Sequence, residues 1–262
     1  MPVSALHVAR TGLEAQDARM RVIANNLANI GTTGFKRDRA NFATLAYQDA
    51  RVAGQQSTNQ TAYAIGLNLG SGVSVQGTSR IDTQGTLNNT GNALDLALDG
   101  NGYFEVEMPD GMTAYTRAGN FTLSAEGQLV TAQGFAVQPA IEIPEGAQSI
   151  TVAPDGSVSA ILAGEAEAAE IGQLTVTSFA NPAGLQAMGD NFLRPTGASG
   201  AAEQGLAGEN GRGNIRQGML ESSNVNVVEE LVEMIEAQRA YEINSKMVSA
   251  VDEMLRNANQ TL

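Results

Sequence analysis

The sequence predicts an α+β protein in which helices at the two chain ends pair as a coiled-coil-like domain around a central, mostly antiparallel β domain. Three observations predict this class. Apolar residues step by seven near both ends, short apolar runs broken by turn dipeptides fill the middle, and the two ends carry opposite charge.

The first helix is expected over about residues 4–30. Leu6, Leu13, Met20 and Leu27 recur every seven residues, and Ile23 and Ile30 continue a second row whose earlier members are Ala9 and Gln16. A seven-residue apolar repeat lays a narrow seam along a helix, suited to packing against another helix. Gly31 and Gly34 supply the positive φ that ends such a helix. Taken alone, the pattern also fits an amphipathic helix lying on its own domain.

The last helix, over about 226–258, tips that balance. Val227, Met234, Tyr241, Val248 and Leu255 step by seven without a gap, and Leu231, Ile235 and Val251 widen the stripe. Asn226 and Glu229 have capping-box spacing. Glu242 with Lys246, and Asp252 with Arg256, are i,i+4 pairs in the favourable order. Uninterrupted by glycine or proline, this helix would be roughly 45–50 Å long at 1.5 Å per residue, longer than a compact domain of this size buries.

Charge favours pairing one end with the other. Residues 1–51 hold seven basic and four acidic groups, whereas 222–262 hold three basic and seven acidic. Opposite signs favour the mixed pair over self-pairing. A two-helix coil still leaves apolar surface wet, so further copies are expected to cover it and self-assembly follows.

The middle reads as strands and turns. Asn101-Gly102, Asp110-Gly111, Glu126-Gly127, Gln133-Gly134, Asp155-Gly156 and Asn210-Gly211 punctuate it. Residues 103–108 and 112–116 flank Pro109-Asp110-Gly111 as hairpin strands would, and 121–124 with 128–131 repeat the arrangement. Residues 150–152, 157–161 and 173–179 continue it, so an antiparallel sandwich or open barrel is expected. Four segments result: 1–34, the N-terminal helical part of the assembly domain; 35–70, an extended polar segment; 71–221, the central β domain; and 222–262, the C-terminal helical part. Residues 47–70, polar and unpatterned, read by themselves as a flexible linker.

Composition narrows the function. A net charge of −13 disfavours nucleic acid, which needs a basic face. The absence of cysteine removes disulfide and thiolate chemistry, and suits an oxidising compartment. No apolar run is long enough to insert in a membrane, and residues 1–7 lack the pattern of a cleaved signal peptide. The chain is therefore expected to be cytosolic or exported by a route needing no such signal. His7, the one histidine, shares a helix with the Leu6 seam, where it is an ordinary surface or interface residue. Asp95, Asp99 and Gly100 lack the spaced oxygens and final glutamate of a calcium loop. Gly70-Ser71-Gly72 lacks the third glycine of a dinucleotide fingerprint. Glu229, Glu230, Glu233 and Glu236 read as a solvated or interhelical face complementing partner arginines. No catalytic, cofactor-binding or metal-ligating residue is assigned, and no cofactor is expected.

The run Ala24-Asn25-Asn26-Leu27-Ala28-Asn29, with Thr32-Thr33-Gly34-Phe35-Lys36 after it, resembles the N-terminal signature of the bacterial flagellar rod and hook axial family. Leu220-Glu221-Ser222-Ser223-Asn224-Val225, the run 230–235 and Gln238-Arg239-Ala240-Tyr241-Glu242 resemble its C-terminal signature. Gly100-Asn101-Gly102-Tyr103-Phe104 and Tyr115-Thr116-Arg117-Ala118-Gly119-Asn120-Phe121 are similar to its core segments. Chain length, the segment 238–246 and the polar stretch at about 46–65 point to the distal-rod branch. Proximal-rod and hook-type subunits are the nearest alternatives. An adhesive or carbohydrate-binding β domain with oligomerising helices is a more remote one.

The resemblance implies a non-enzymatic subunit that polymerises into a rigid helical tube carrying torque from motor to hook. It implies homo-oligomerisation, contacts with other rod proteins and the hook protein, P- and L-rings around the rod, and delivery by the flagellar type III export apparatus. The location implied is the basal body, from periplasm to outer membrane. Residues 46–65 would correspond to the stretch that keeps the rod straight, ordered between subunits. Thr33, Gly34, Phe35, Lys36, Asn224 and Val225 carry the family motifs. The assembly residues expected are the seam positions Leu6, Leu13, Met20, Ile23, Leu27, Ile30, Val227, Leu231, Met234, Ile235, Tyr241, Val248 and Leu255, together with Asn25, Asn26 and Asn29. The three asparagine amides flank Leu27, where they could bond across to neighbouring helices and fix register. They also fit a plain polar face near a helix end.

Overall fold

The computed structural model describes the chain except for Met1, Ala53, Gln55, Asn59, Gln60, Glu145, residues 163–167, Thr261 and Leu262. It divides into two compact units. One comprises residues 1–27, 38–79 and 226–262, and the other comprises 28–37 and 80–225.

The first unit holds both long helices, α1 (Pro2–Ala28, of which 28 belongs to the other unit) and α2 (Val227–Gln260). Asn226 starts α2 by accepting the Val228 amide on its Oδ1 at 3.1 Å, satisfying one of the donors a helix start leaves unpaired. The helices run antiparallel. Gly12 lies against Asn244, Arg19 against Glu233 and Glu236, and Asn26 against Glu230, so positions advance on α1 as they retreat on α2.

The same unit contains three nested strand pairs: Asp38–Thr44 with Val73–Arg80 (of which Arg80 belongs to the other unit), Tyr47–Arg51 with Leu67–Gly70, and Gln56–Thr58 with Thr61–Ala62. The stretch that reads as a linker is thus largely strand. Backbone pairing organises it, which explains why no apolar alternation marked it. Gly54 N–H donates to Tyr63 O at 2.8 Å, and Arg51 stacks its guanidinium 4.4 Å above the Tyr63 ring. Ala53, Gln55, Asn59 and Gln60, which belong to the 46–65 stretch, lie outside the described residues. Gly72 brings this segment onto α1. Its φ of +112° is open to glycine, a Cβ there would meet the Thr11 hydroxyl, and Val73 N–H donates to that hydroxyl at 3.3 Å.

The second unit is β. A seven-stranded sheet runs in the order 122–123, 129–130, 136–138, 104–107, 113–116, 192–194, 186–189, with antiparallel neighbours throughout. A three-stranded antiparallel sheet joins 147–152, 157–162 and 169–173. The hairpin read at Pro109-Asp110-Gly111 is present: Thr113 faces Glu107, Met108 N–H donates to Met112 O, and Gly111 takes φ +76°. The turn at Asp155-Gly156 joins 147–152 to 157–162 in the same way. Leu96, Leu98, Phe104, Phe121, Leu174 and Ile215 anchor the main core, each at about 1.5–3 kcal/mol of burial. Tyr103, Tyr115 and Phe179 form a second cluster, with edge-to-face rings 4.9 Å apart for Tyr115 and Phe179.

Candidate functional site

No residue in the sequence announces chemistry, so the candidate site is an assembly surface with the packing that presents it. In the first unit, α1 meets α2 at small or polar residues: Gly12, Arg19 and Asn26 on α1, and Glu230, Glu233, Glu236 and Asn244 on α2. Ala9, Ala15 and Ile23 are buried on α1; Glu230, Ala237 and Val251 are buried on α2. A Cβ on Gly12 would stand 3.0 Å from the Asn244 amide nitrogen, so the helices approach closely there. At the other end of the contact, Asn26 Nδ2 donates to Glu230 Oε2 at 3.2 Å and to Asp38 O at 2.9 Å, while its Oδ1 accepts Asp38 N–H at 2.9 Å. One amide therefore ties α1, α2 and the strand beginning at Asp38.

The expected assembly residues separate into groups. Ile23 and Asn26 are buried; Leu6, Leu13, Met20, Leu27, Asn29, Ile30, Met234, Val248 and Leu255 are partly buried; Asn25, Val227, Leu231, Ile235 and Tyr241 are exposed. Glu230 and Asn244, which meet α1, share a seven-residue row with the buried Ala237 and Val251, displaced from the large apolar row that begins at Val227. Gly12 permits the close approach, while Val227, Leu231, Ile235 and Tyr241 are left exposed. A heptad search tuned to small and polar residues would have found the 230–251 row. Of the four glutamates, Glu230 is buried against Asn26, and Glu233 and Glu236 lie 3.3 and 3.7 Å from Arg19.

In the second unit, the motif residues of the two chain ends meet. Gly34 N–H donates to Glu221 O at 2.7 Å, Asn224 N–H to Phe35 O at 3.4 Å, and Arg37 N–H to Asn224 Oδ1 at 2.8 Å. The Asn224 amide nitrogen donates onward to Ile81 O and Thr83 O. Thr33 O accepts from Asn191, and Val225 is buried. Gly34 sits at φ +68° with its α-carbon against the backbone of Arg117, where a Cβ would come within 2.7 Å of the Arg117 carbonyl carbon.

Beneath these contacts is a buried charge cluster. Lys36 Nζ lies 2.6 Å from Glu221 Oε1, and Arg117 Nε lies 2.6 Å from Glu221 Oε2, with side-chain exposures of 4%, 6% and 0% for Lys36, Arg117 and Glu221. Further hydrogen bonds surround the cluster. Arg117 donates to Gly100 O, Gly102 O and Leu98 O; Lys36 donates to Thr83 O; and Gly85 N–H donates to Glu221 Oε1. Burial tends to raise the Glu221 pKa, but Arg117 and Lys36 outweigh it and hold the carboxyl below its ordinary range. Burial pushes the Lys36 ammonium down, partly offset by Glu221, because one carboxylate is shared by two cations. The sequence displayed Arg117 and Glu221 within motifs but gave no sign that they pair.

Among the described residues, no group of three or more His, Cys, Asp or Glu could hold a metal ion, and no helix is long and apolar enough to cross a membrane. The most prominent surface feature is apolar. Val228, Leu231, Val232, Ile235, Ile243 and Met247 of α2 are all exposed, as are Tyr47, Val52 and Ile65 in the nested strand segment.

Comparison with known proteins places these features in a family. Residues 6–36 match the family model described as flagella basal body rod protein, 97–160 the flagellar hook protein FlgE/F/G D1 domain, and 216–261 the flagellar basal body rod FlgEFG protein C-terminal model. The chain is 47% identical to the flagellar basal-body rod protein FlgG of Buchnera aphidicola, over 98% of this chain and 99% of the relative. Two proteins of Caulobacter vibrioides separate the branches: FlgG is 44% identical over 98% of this chain and 99% of its own length, and FlgF is 33% identical over 99% and 98%. The chain belongs to the family of flagellar basal-body rod proteins, on its FlgG branch, as a structural subunit of the distal rod.

Proposed function

We propose that the subunit polymerises through its helical unit into a rigid helical tube that transmits torque from motor to hook, and does so without catalysis. The observation that carries this reading is the apolar side of α2 left uncovered by α1, with Val228, Leu231, Val232, Ile235, Ile243 and Met247 at helical spacing. A monomer rarely leaves such a stripe in water, and further copies of the same helix pair would bury it. The assembly residues are the seam and asparagine positions named above, and the assembly domain comprises residues 1–34 with 222–262, of which 28–34 and 222–225 fold with the β unit. The central domain, 71–221, would face the P- and L-rings, while other rod proteins and the hook protein cap the tube. Delivery by the flagellar type III export apparatus without a cleaved signal peptide would place it from periplasm to outer membrane.

Concentration-dependent light scattering tests the assembly. The dilute chain is expected to be monomeric with protease-sensitive ends and to form filaments or aggregates when concentrated. Protease-resistant ends in the dilute monomer, or a fixed small oligomer of the kind an adhesin forms, would refute it. The segment 46–65 is proposed to stiffen the tube by packing between subunits. Its deletion should leave folding intact and yield a shaft that bends, whereas a straight rod would remove the assignment.

A further inference from the structure

We infer that residues 214–225 act as a closure segment, without which the β unit cannot settle into its native core. Three independent contacts of this segment carry the inference. Asn214–Gln217 pairs with Leu96–Asp99, and Met219–Glu221 pairs with Leu87–Asn89, so the segment supplies backbone partners to two strands that come far earlier in the chain. Ile215, 1% exposed, completes the main core cluster. The Gln217 side chain bonds Ala93 O, Ile150 O and Val152 N–H, joining two further parts of the unit.

Charge makes the closure conditional. Lys36 and Arg117 are separated from Glu221 by 185 and 104 positions in sequence. Until Glu221 arrives, the two cations would be buried against carbonyl oxygens with only the more distant carboxylate of Asp82 as counter-charge, and removing the directly bonded partner from a buried pair is strongly destabilising. A chain made from N- to C-terminus therefore holds Lys36, Arg117 and most of the core residues before it holds the group that lets them be buried together. The unit stays open until nearly its whole length is present. For a chain that must pass unfolded through an export channel, late closure would preserve transport competence. That benefit rests on the rod reading above, whereas the folding order does not.

Pulsed hydrogen exchange during refolding of the full chain from urea tests the order. The amides of Leu96–Asp99 and Phe104–Glu107 are expected to gain protection in the same kinetic phase as Asn214–Gln217 and Met219–Glu221. Protection of Phe104–Glu107 and Thr113–Thr116 in an earlier, separate phase would overturn the inference. A second measurement isolates the charge. Glu221→Ala should lower the folding equilibrium constant of the unit about a hundredfold or more, whereas Lys36→Met, which leaves one balanced pair, should lower it about tenfold or less. Adding Lys36→Met to Glu221→Ala should recover part of the loss. Equal effects of the two single changes, or no recovery in the double variant, would refute the role given to Glu221. Neither measurement involves polymerisation, so its failure is distinguishable from failure of the assembly reading.

Discussion

Asn26 and Glu230 share a hydrogen bond of 3.2 Å at a point where each is only 2% exposed. The amide is fully used, because the same side chain also makes two bonds with the backbone of Asp38. Asn26→Ala would leave a buried carboxylate short of one donor and strip two backbone groups of their partner, at a cost of about 2–3 kcal/mol. Urea denaturation should show the loss, and the Asp38 amide should exchange faster. Asn26→Asp should be worse at neutral pH and improve on acidification, since it sets two carboxylates against each other.

The buried charge cluster predicts a specific acid response. The folded Glu221 carboxyl lies below its ordinary value of about 4.5, so its stabilisation is complete above that value and is lost as pH falls through the lower folded one. Lys36 acts in a distant window. Its folded value is also depressed, so between that value and 10.5 the unfolded chain binds the extra proton and stability rises with pH. Urea midpoints from pH 7 down to pH 3 should fall less steeply in Glu221→Gln than in the wild-type chain.

Glycine substitutions should separate strain from collision. Gly111 has φ +76° and open space around it, so Gly111→Ala should cost about 1 kcal/mol from backbone strain alone. Gly72 has φ +112° and faces the Thr11 hydroxyl, so Gly72→Ala should cost about 2–4 kcal/mol. Adding Thr11→Ala should recover part of the second loss and none of the first, as thermal unfolding would show.

The uncovered side of α2 offers a separation of folding from assembly. Val232 and Ile235 are about half exposed, so Val232→Glu and Ile235→Glu should shift stability by no more than about 0.5 kcal/mol. Sedimentation at high concentration should then find monomer where the wild-type chain forms large species. Polymerisation unaffected by both changes would move the assembly surface elsewhere.

Much of this architecture was legible from residue spacing, though not the pairing that organises it. Turn dipeptides such as Asp110-Gly111 located the hairpins because a positive φ is a local demand that glycine meets locally. The seven-residue rows located both helices. They did not identify the faces that touch, because the contact runs through Gly12, Asn26, Glu230 and Asn244 rather than the large side chains a hydrophobic seam emphasises. Residues 47–51 and 67–70 carried no strand signal, since their order comes from pairing across the intervening residues 52–66. Lys36, Arg117 and Glu221 were visible one by one as motif residues. Their union is a tertiary fact, set by chain separations no local pattern spans.

The antiparallel register of α1 and α2 has a topological consequence. With Gly12 beside Asn244 and Asn26 beside Glu230, the start of α1 and the last turns of α2 lie at the same end of the helix pair. A short flexible linker could therefore join them, and the exposed turn at Pro109–Gly111 offers a place to reopen the backbone. Such a circular permutant would keep the helix and strand pairings of each unit, losing only the hydrogen bonds of that turn, while moving both free ends into the β unit.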